Sequence, residues 1–152
     1  MRTFERASID ASSSSDTGLA QTVAPDARSL SLIFDTLQAR DRADSNGRFT
    51  ATSVDLEVEI SGDGPAKLQA HARGGLTASV DTGFGVVRLQ IDSAKTYLTL
   101  DAQSGDLFGA LVFDLRSDQK KVHIQLLLLA NAGGDSPNEC LTSLDSLDLT
   151  LA

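Results

Sequence analysis

Val54-Asp55-Leu56-Glu57-Val58-Glu59-Ile60 sets an aliphatic side chain at every second position and a carboxylate at each position between. Successive side chains of an extended chain point to opposite faces, so a period of two marks a half-buried strand with core on one side and water on the other. The same period runs through Leu30, Leu32 and Phe34, and through Leu68, Ala70 and Ala72, which alternate with Lys67, Gln69, His71 and Arg73. Further strands are predicted at 76–80, 84–91, 96–100, 107–115, 122–130 and 147–151. No long stretch keeps the 3.6-residue apolar stripe of an amphipathic helix.

Turn chemistry separates these segments. Asn46-Gly47 suits the two positive φ values of a type I′ hairpin turn. Ser61-Gly62-Asp63-Gly64-Pro65, Asp81-Thr82-Gly83, Ser104-Gly105-Asp106 and Gly133-Gly134-Asp135 are turn-forming clusters too. Eight or nine short strands with regular turns predict an all-β fold, an antiparallel β-sandwich or barrel. Leu107–Leu115 and Val122–Leu129 are apolar on both faces over part of their length. That predicts central positions in a sheet, the alternative being a face that meets another subunit.

Residues 1–22 differ in composition. A run of serines, Ser12 to Ser15, lies between Asp10 and Asp16 with Gly18 behind it. It reads as a linker or an N-terminal extended arm, leaving 23–152 as a single domain. Extended at ~3.3 Å per residue, such an arm reaches ~70 Å. It can then cross onto a neighbouring subunit, with Phe4, Ile9 and Leu19 as its anchors. On this reading, deleting residues 1–22 leaves the domain folded and lowers its oligomeric state.

The chain has 152 residues, 41% of them hydrophobic, enough for a core without metals or disulfides. Thirteen Lys and Arg against 21 Asp and Glu give a net charge of −8. Nucleic acid is excluded as a partner, because phosphate binding needs clustered cations and only Lys120-Lys121 are adjacent. No membrane insertion is expected: the longest apolar run, Leu126 to Ala130, is far short of the ~20 residues needed to span a bilayer. Polar residues rather than an apolar stretch follow Met1–Arg6, so no secretory signal is read and a cytoplasmic start is expected. Secretion, through a replaced signal or a leaderless route, is the alternative.

No reactive constellation emerges. Cys140 is the only cysteine and reads as a small apolar side chain. Asp44-Ser45-Asn46-Gly47 fails as a calcium loop: Arg42 occupies the first ligand position and Ser53 the twelfth, where an oxygen donor and a Glu are required. Asp63, Asp81, Asp101, Asp106 and Asp135 are the candidate calcium ligands, if their loops converge at one end of a sandwich; each is also a good turn residue. His71 and His123 fall on the polar phase of their strands, and no Gly-x-Ser-x-Gly elbow accompanies them. Gly83-Phe84-Gly85 and Arg73-Gly74-Gly75 read as strand bends or bulges, not phosphate cradles. The expectation is a non-enzymatic structural or interaction module without a cofactor. It associates with itself as a homo-oligomer, or with another protein, through its arm or exposed strand edges. The alternative is a calcium-assisted module binding carbohydrate or another small ligand.

Pro25-Asp26 with Ser29-Leu30-Ser31-Leu32-Ile33-Phe34-Asp35, then Arg73-Gly74 followed by Gly83, and finally Pro137, Cys140, Leu147, Leu149 and Leu151 form a pattern. Over residues 23–152 it resembles a family of small, usually secreted fungal and bacterial proteins known only as a domain of unknown function. The resemblance implies a β-sandwich and assigns no activity and no catalytic residue. Members usually carry several cysteines and a signal peptide; with one cysteine here, no disulfide pattern carries over.

Overall fold

The structure, a computed structural model, describes residues 1–9, 18–42, 50–78, 83–101, 106–133 and 138–152, without the side chains of 98–101 and 106–108. In chain order the strands are β1 (Thr3–Ile9), β2 (Leu19–Val23), β3 (Ser29–Phe34), β4 (Gln38–Arg42), β5 (Thr50–Ser61), β6 (Ala66–Ala78), β7 (Phe84–Ile91), β8 (Ala94–Asp101), β9 (Asp106–Leu115), β10 (Lys121–Asn131) and β11 (Glu139–Leu151). They form an antiparallel β-sandwich. One sheet has the order β1-β5-β10-β7-β8 and the other β2-β3-β11-β6-β9, with β4 also paired to β11. Among the described residues there is no helix. The turn Asn46-Gly47 lies outside the described residues.

The core lies between the sheets. Along β5, Val54, Leu56, Val58 and Ile60 are buried while Asp55, Glu57 and Glu59 keep partial exposure, the phase read from the sequence. β10 sits at the centre of its sheet, paired to β5 and β7. Val122, Ile124, Leu126 and Leu128 point inward, and Leu127 and Leu129 are half-buried outside, so a central position accounts for both of its apolar faces.

Among the described residues eleven strands replace the expected eight or nine. The segment read as 67–73 and the described part, 76–78, of the one read as 76–80 are one strand, β6, continuous through Gly74. A Cβ at Gly74 would lie 2.0 Å from the Ser143 carbonyl oxygen, so glycine lets β6 approach β11 beside the irregularity between Leu144 and Ser146. β4 carries little apolar signal because one of its two inward side chains is Asp41. That carboxylate is satisfied in the core, accepting from the Thr50 hydroxyl at 2.8 Å and the Ala132 N–H at 2.7 Å.

The N-terminal arm is a further correction. Residues 3–9 pair with β5 and residues 19–23 with β3, so the segment read as an arm supplies one edge strand to each sheet of its own chain. A bulge between Phe4 and Arg6 lets Phe4 and Ala7, three positions apart, both point inward, where they are 3% and 4% exposed. Ile9 and Leu19 pack against the same core. The three anchors therefore anchor, but within the sandwich. The low hydrophobicity of the segment hid this, since an edge strand needs only a few inward side chains.

Arg2 fastens the start of β1. Its buried guanidinium donates to the Arg116 carbonyl at 3.1 Å and to the carbonyls of Gly62 and Gln119. Gly62 has φ +80 and a Cβ there would strike the Met1 carbonyl, so only glycine lets the loop after β5 close over this arginine.

Candidate functional site

The sheets end in four edge strands, β1, β8, β2 and β9, and among them β1 and β9 are built differently. On β1 the outward Phe4 N–H and the outward groups of Ala7 are occupied. The Phe4 N–H donates to the Ala27 carbonyl at 2.7 Å, from a turn in which Ala27 takes φ 56. The Gln21 carboxamide, from β2, accepts the Ala7 N–H at 2.8 Å and donates to the Ala7 carbonyl at 3.0 Å. One side chain thus makes the pair of bonds that a neighbouring strand would make, and it joins the two sheets. This is a blunted edge.

β9, in turn, ends the six-stranded sheet. This departs from the central position expected for Leu107–Leu115. The register shows which of its backbone groups face outward. Lys67 exchanges both backbone bonds with Ala152, each at 2.9 Å, so its groups face the β11 side. Strand residues alternate, so Leu68 and Ala70 face β9, opposite Phe113 and Leu111. The N–H and C=O groups of Ala110, Val112 and Asp114 therefore point away from the sheet. Among the described residues no backbone bond from another element reaches them.

The side chains of β9 match this open edge. Leu111 and Phe113 pack against the core, whereas Val112 is 53% exposed, between exposed Ala110 and Asp114. Residues 107–113 read Leu-Phe-Gly-Ala-Leu-Val-Phe, with no charge and no proline. Such a neutral, two-sided apolar edge is a template for another strand. The one charge on its described outer row, Asp114, is met by Lys67 at 2.9 Å.

Of the candidate calcium ligands, the structure separates Asp63 from Asp101 and Asp106 by backbone position. Asp101 pairs with Phe84 and Asp106 with Gly75, which places their backbones at the end of the sandwich opposite the loop that holds Asp63. Asp63 is bonded to the Lys120 ammonium at 2.6 Å, which holds its carboxyl below the usual range. Asp81 and Asp135 lie outside the described residues. Among the described residues no three His, Cys, Asp or Glu side chains gather as a metal site.

His71 and His123 lie on the outer faces of opposite sheets, away from one another. Around His123, Asp55, Gln90, Asp92 and Gln125 line a hollow of about 170 Å³ on the five-stranded sheet. Much of its polarity is spent internally. Gln125 donates to Asp55 at 3.0 Å and accepts from Arg88, while Asp92 accepts from the His123 N–H at 3.0 Å and from Gln119 at 2.7 Å. Tyr97, 61% exposed, stands two strands from β10 and opposite Arg88. Cys140 is buried and burial pushes its thiol up, the reverse of what a nucleophile needs.

No protein-family model and no curated protein matches the chain. Among solved structures, it is similar to the carbohydrate-binding module TmCBM61 in complex with β-1,4-galactotriose. The identity is 11% and the TM-score 0.38, over 97% of this chain and 86% of that one. It is also similar to Xyl-CBM35 in complex with a disaccharide containing glucuronic acid, at 15% identity and TM-score 0.35, over 100% and 91%. A third is the CBM35 module from Cellvibrio japonicus Abf62, at 17% and 0.30, over 100% and 91%. At these identities and scores they assign no residue of this chain a role. No helix among the described residues is long and apolar enough to cross a membrane.

Proposed function

We propose that the chain is a non-enzymatic interaction module whose working surface is the open edge of β9, where a partner adds a strand. The observation that supports this is the contrast between the edge strands β1 and β9. Gln21 and Ala27 occupy outward groups of β1 at Ala7 and Phe4, whereas Ala110, Val112 and Asp114 present theirs on an apolar strand. Strand addition gains backbone hydrogen bonds along its length and contacts at alternate side chains.

A proline scan tests it. Val112→Pro removes an outward N–H and leaves the β6 ladder whole, as edge proline does. Leu111→Pro and Phe113→Pro each remove a bond to β6 and are expected to unfold the protein. A labelled peptide with the sequence of residues 107–115 is expected to bind the full chain saturably and to lose that binding in Val112→Pro. Equal binding by the folded Val112→Pro variant would sink the reading.

A second reading, a carbohydrate- or small-ligand-binding module aided by calcium, draws support from the hollow around His123 and from exposed Tyr97. Amides and carboxylates suit hydroxyl groups, and a tyrosine ring suits the apolar face of a sugar. Tyr97 is the only Tyr and there is no Trp, so its emission reports binding directly. On this reading oligosaccharides change that emission, and about 10 mM calcium raises the melting temperature reversibly with EDTA, as a ligand well above its Kd must. On the first reading neither occurs.

A further inference from the structure

We infer that the strand added to β9 is β9 of a second copy of this chain, antiparallel about a two-fold axis through Val112. The inference rests on the reading of the β9 edge as the working surface. Only residues whose backbone groups face outward can pair there, which restricts the joint to Ala110, Val112, Asp114 and their neighbours of the same parity.

Among registers whose axis passes through an outward-facing residue of β9, charge selects one. An axis through Asp114 sets the two Asp114 carboxylates face to face. An axis through Ala110 sets Asp114 opposite the partner's Asp106. Like charges directly opposite are unfavourable. An axis through Val112 sets Asp114 opposite the partner's Ala110, whose neighbour on β6 is His71. It also brings the two exposed Val112 side chains together on one outer face. The two six-stranded sheets then run on as one, joined by about six backbone hydrogen bonds, two for each facing pair.

The charge of the rim favours a copy of this chain over a basic partner. A net charge of −8 draws basic molecules to the surface as a whole. Yet among the described side chains the outer row of β9 carries one charge, Asp114, already neutralised by Lys67. What fits beside it is an apolar, uncharged strand, and residues 107–113 are one.

Sedimentation of the full chain and single-cysteine oxidation test the inference together. The chain is expected to sediment as a dimer at tens of micromolar. Val112→Lys, which alters an exposed side chain and so keeps the fold, is expected to be a monomer with an unchanged circular dichroism spectrum. Val112→Cys is expected to form a disulfide-linked dimer under mild oxidation and Ala110→Cys to remain unlinked, with buried Cys140 silent in both. A dimer linked through Ala110→Cys and not Val112→Cys overturns the inferred register. A full chain that stays monomeric at a hundred micromolar, yet binds the residue 107–115 peptide, overturns the second copy and leaves the edge reading standing. A dimer that persists in Val112→Lys and Val112→Pro overturns both.

Discussion

Removing residues 1–22 is expected to unfold this protein rather than to release a smaller folded one. Phe4 and Ala7 are buried in the core, and truncating a buried Phe to Ala alone costs roughly 3–5 kcal/mol. A domain of this size has about 5–15 kcal/mol in total. The deletion goes further than that. It strips the β1 pairing from β5, exposing one face of Val58 and Ile60, and it takes away β2 from β3. It also withdraws the Arg2 guanidinium from three loop carbonyls. In the full chain, Phe4→Ala is expected to lower the melting temperature by many degrees. Arg6→Ala is expected to change it little, because the Arg6–Glu59 pair lies at the surface, where ion pairs contribute little. A truncated chain with a strand-rich spectrum and an unchanged melt would show that β1 and β2 are dispensable.

The parts of the fold legible in the sequence were those set by one strand's own alternation. β5 could be phased residue by residue, since Val54 to Ile60 carries both a buried row and a charged row. β4 could not, because an inward Asp41 breaks the apolar row and its compensation comes from Thr50, across a connecting loop, and from Ala132, far along the chain. β1 was missed for a related reason. Its inward positions are Phe4 and Ala7, and only the bulge at Glu5 brings them to one face. A period of two reads the pair as out of phase.

The candidate edge was half legible. That Leu107–Leu115 is apolar on both faces is a property of its sequence, and it allows two explanations, a central strand or a surface that meets another chain. Choosing between them needs the strand order, which is decided by which strands each sheet brings beside β6 and β10 and not by any local signal. β10 took the central place and β9 the edge. The Gln21 carboxamide that closes the opposite side was invisible for the same reason, since its partner Ala7 is identified only by the fold.

Val58→Asp is expected to abolish folding, while the adjacent Glu57→Lys is expected to be tolerated. Val58 is fully buried between β1 and β10, facing Ala7 and Val122 in the register, so its side chain meets only the apolar interior. A carboxylate there is left without a partner, at a cost of several kcal/mol, comparable to the stability of the whole domain. Its proton uptake would relieve part of that cost at low pH, but a neutral carboxyl in place of a packed isopropyl group still leaves an unsatisfied polar group. Glu57 points the other way. It bonds the Lys121 ammonium at 2.9 Å and lies 3.8 Å from His123, on a face open to water. Reversing its charge sets two lysines across a strand pair, an unfavourable contact that solvent screens and that both long side chains can escape by turning outward. Thermal melts and circular dichroism separate the two variants at once. Equal melting temperatures for Val58→Asp and Glu57→Lys would mean that β5 does not present its valines to the core.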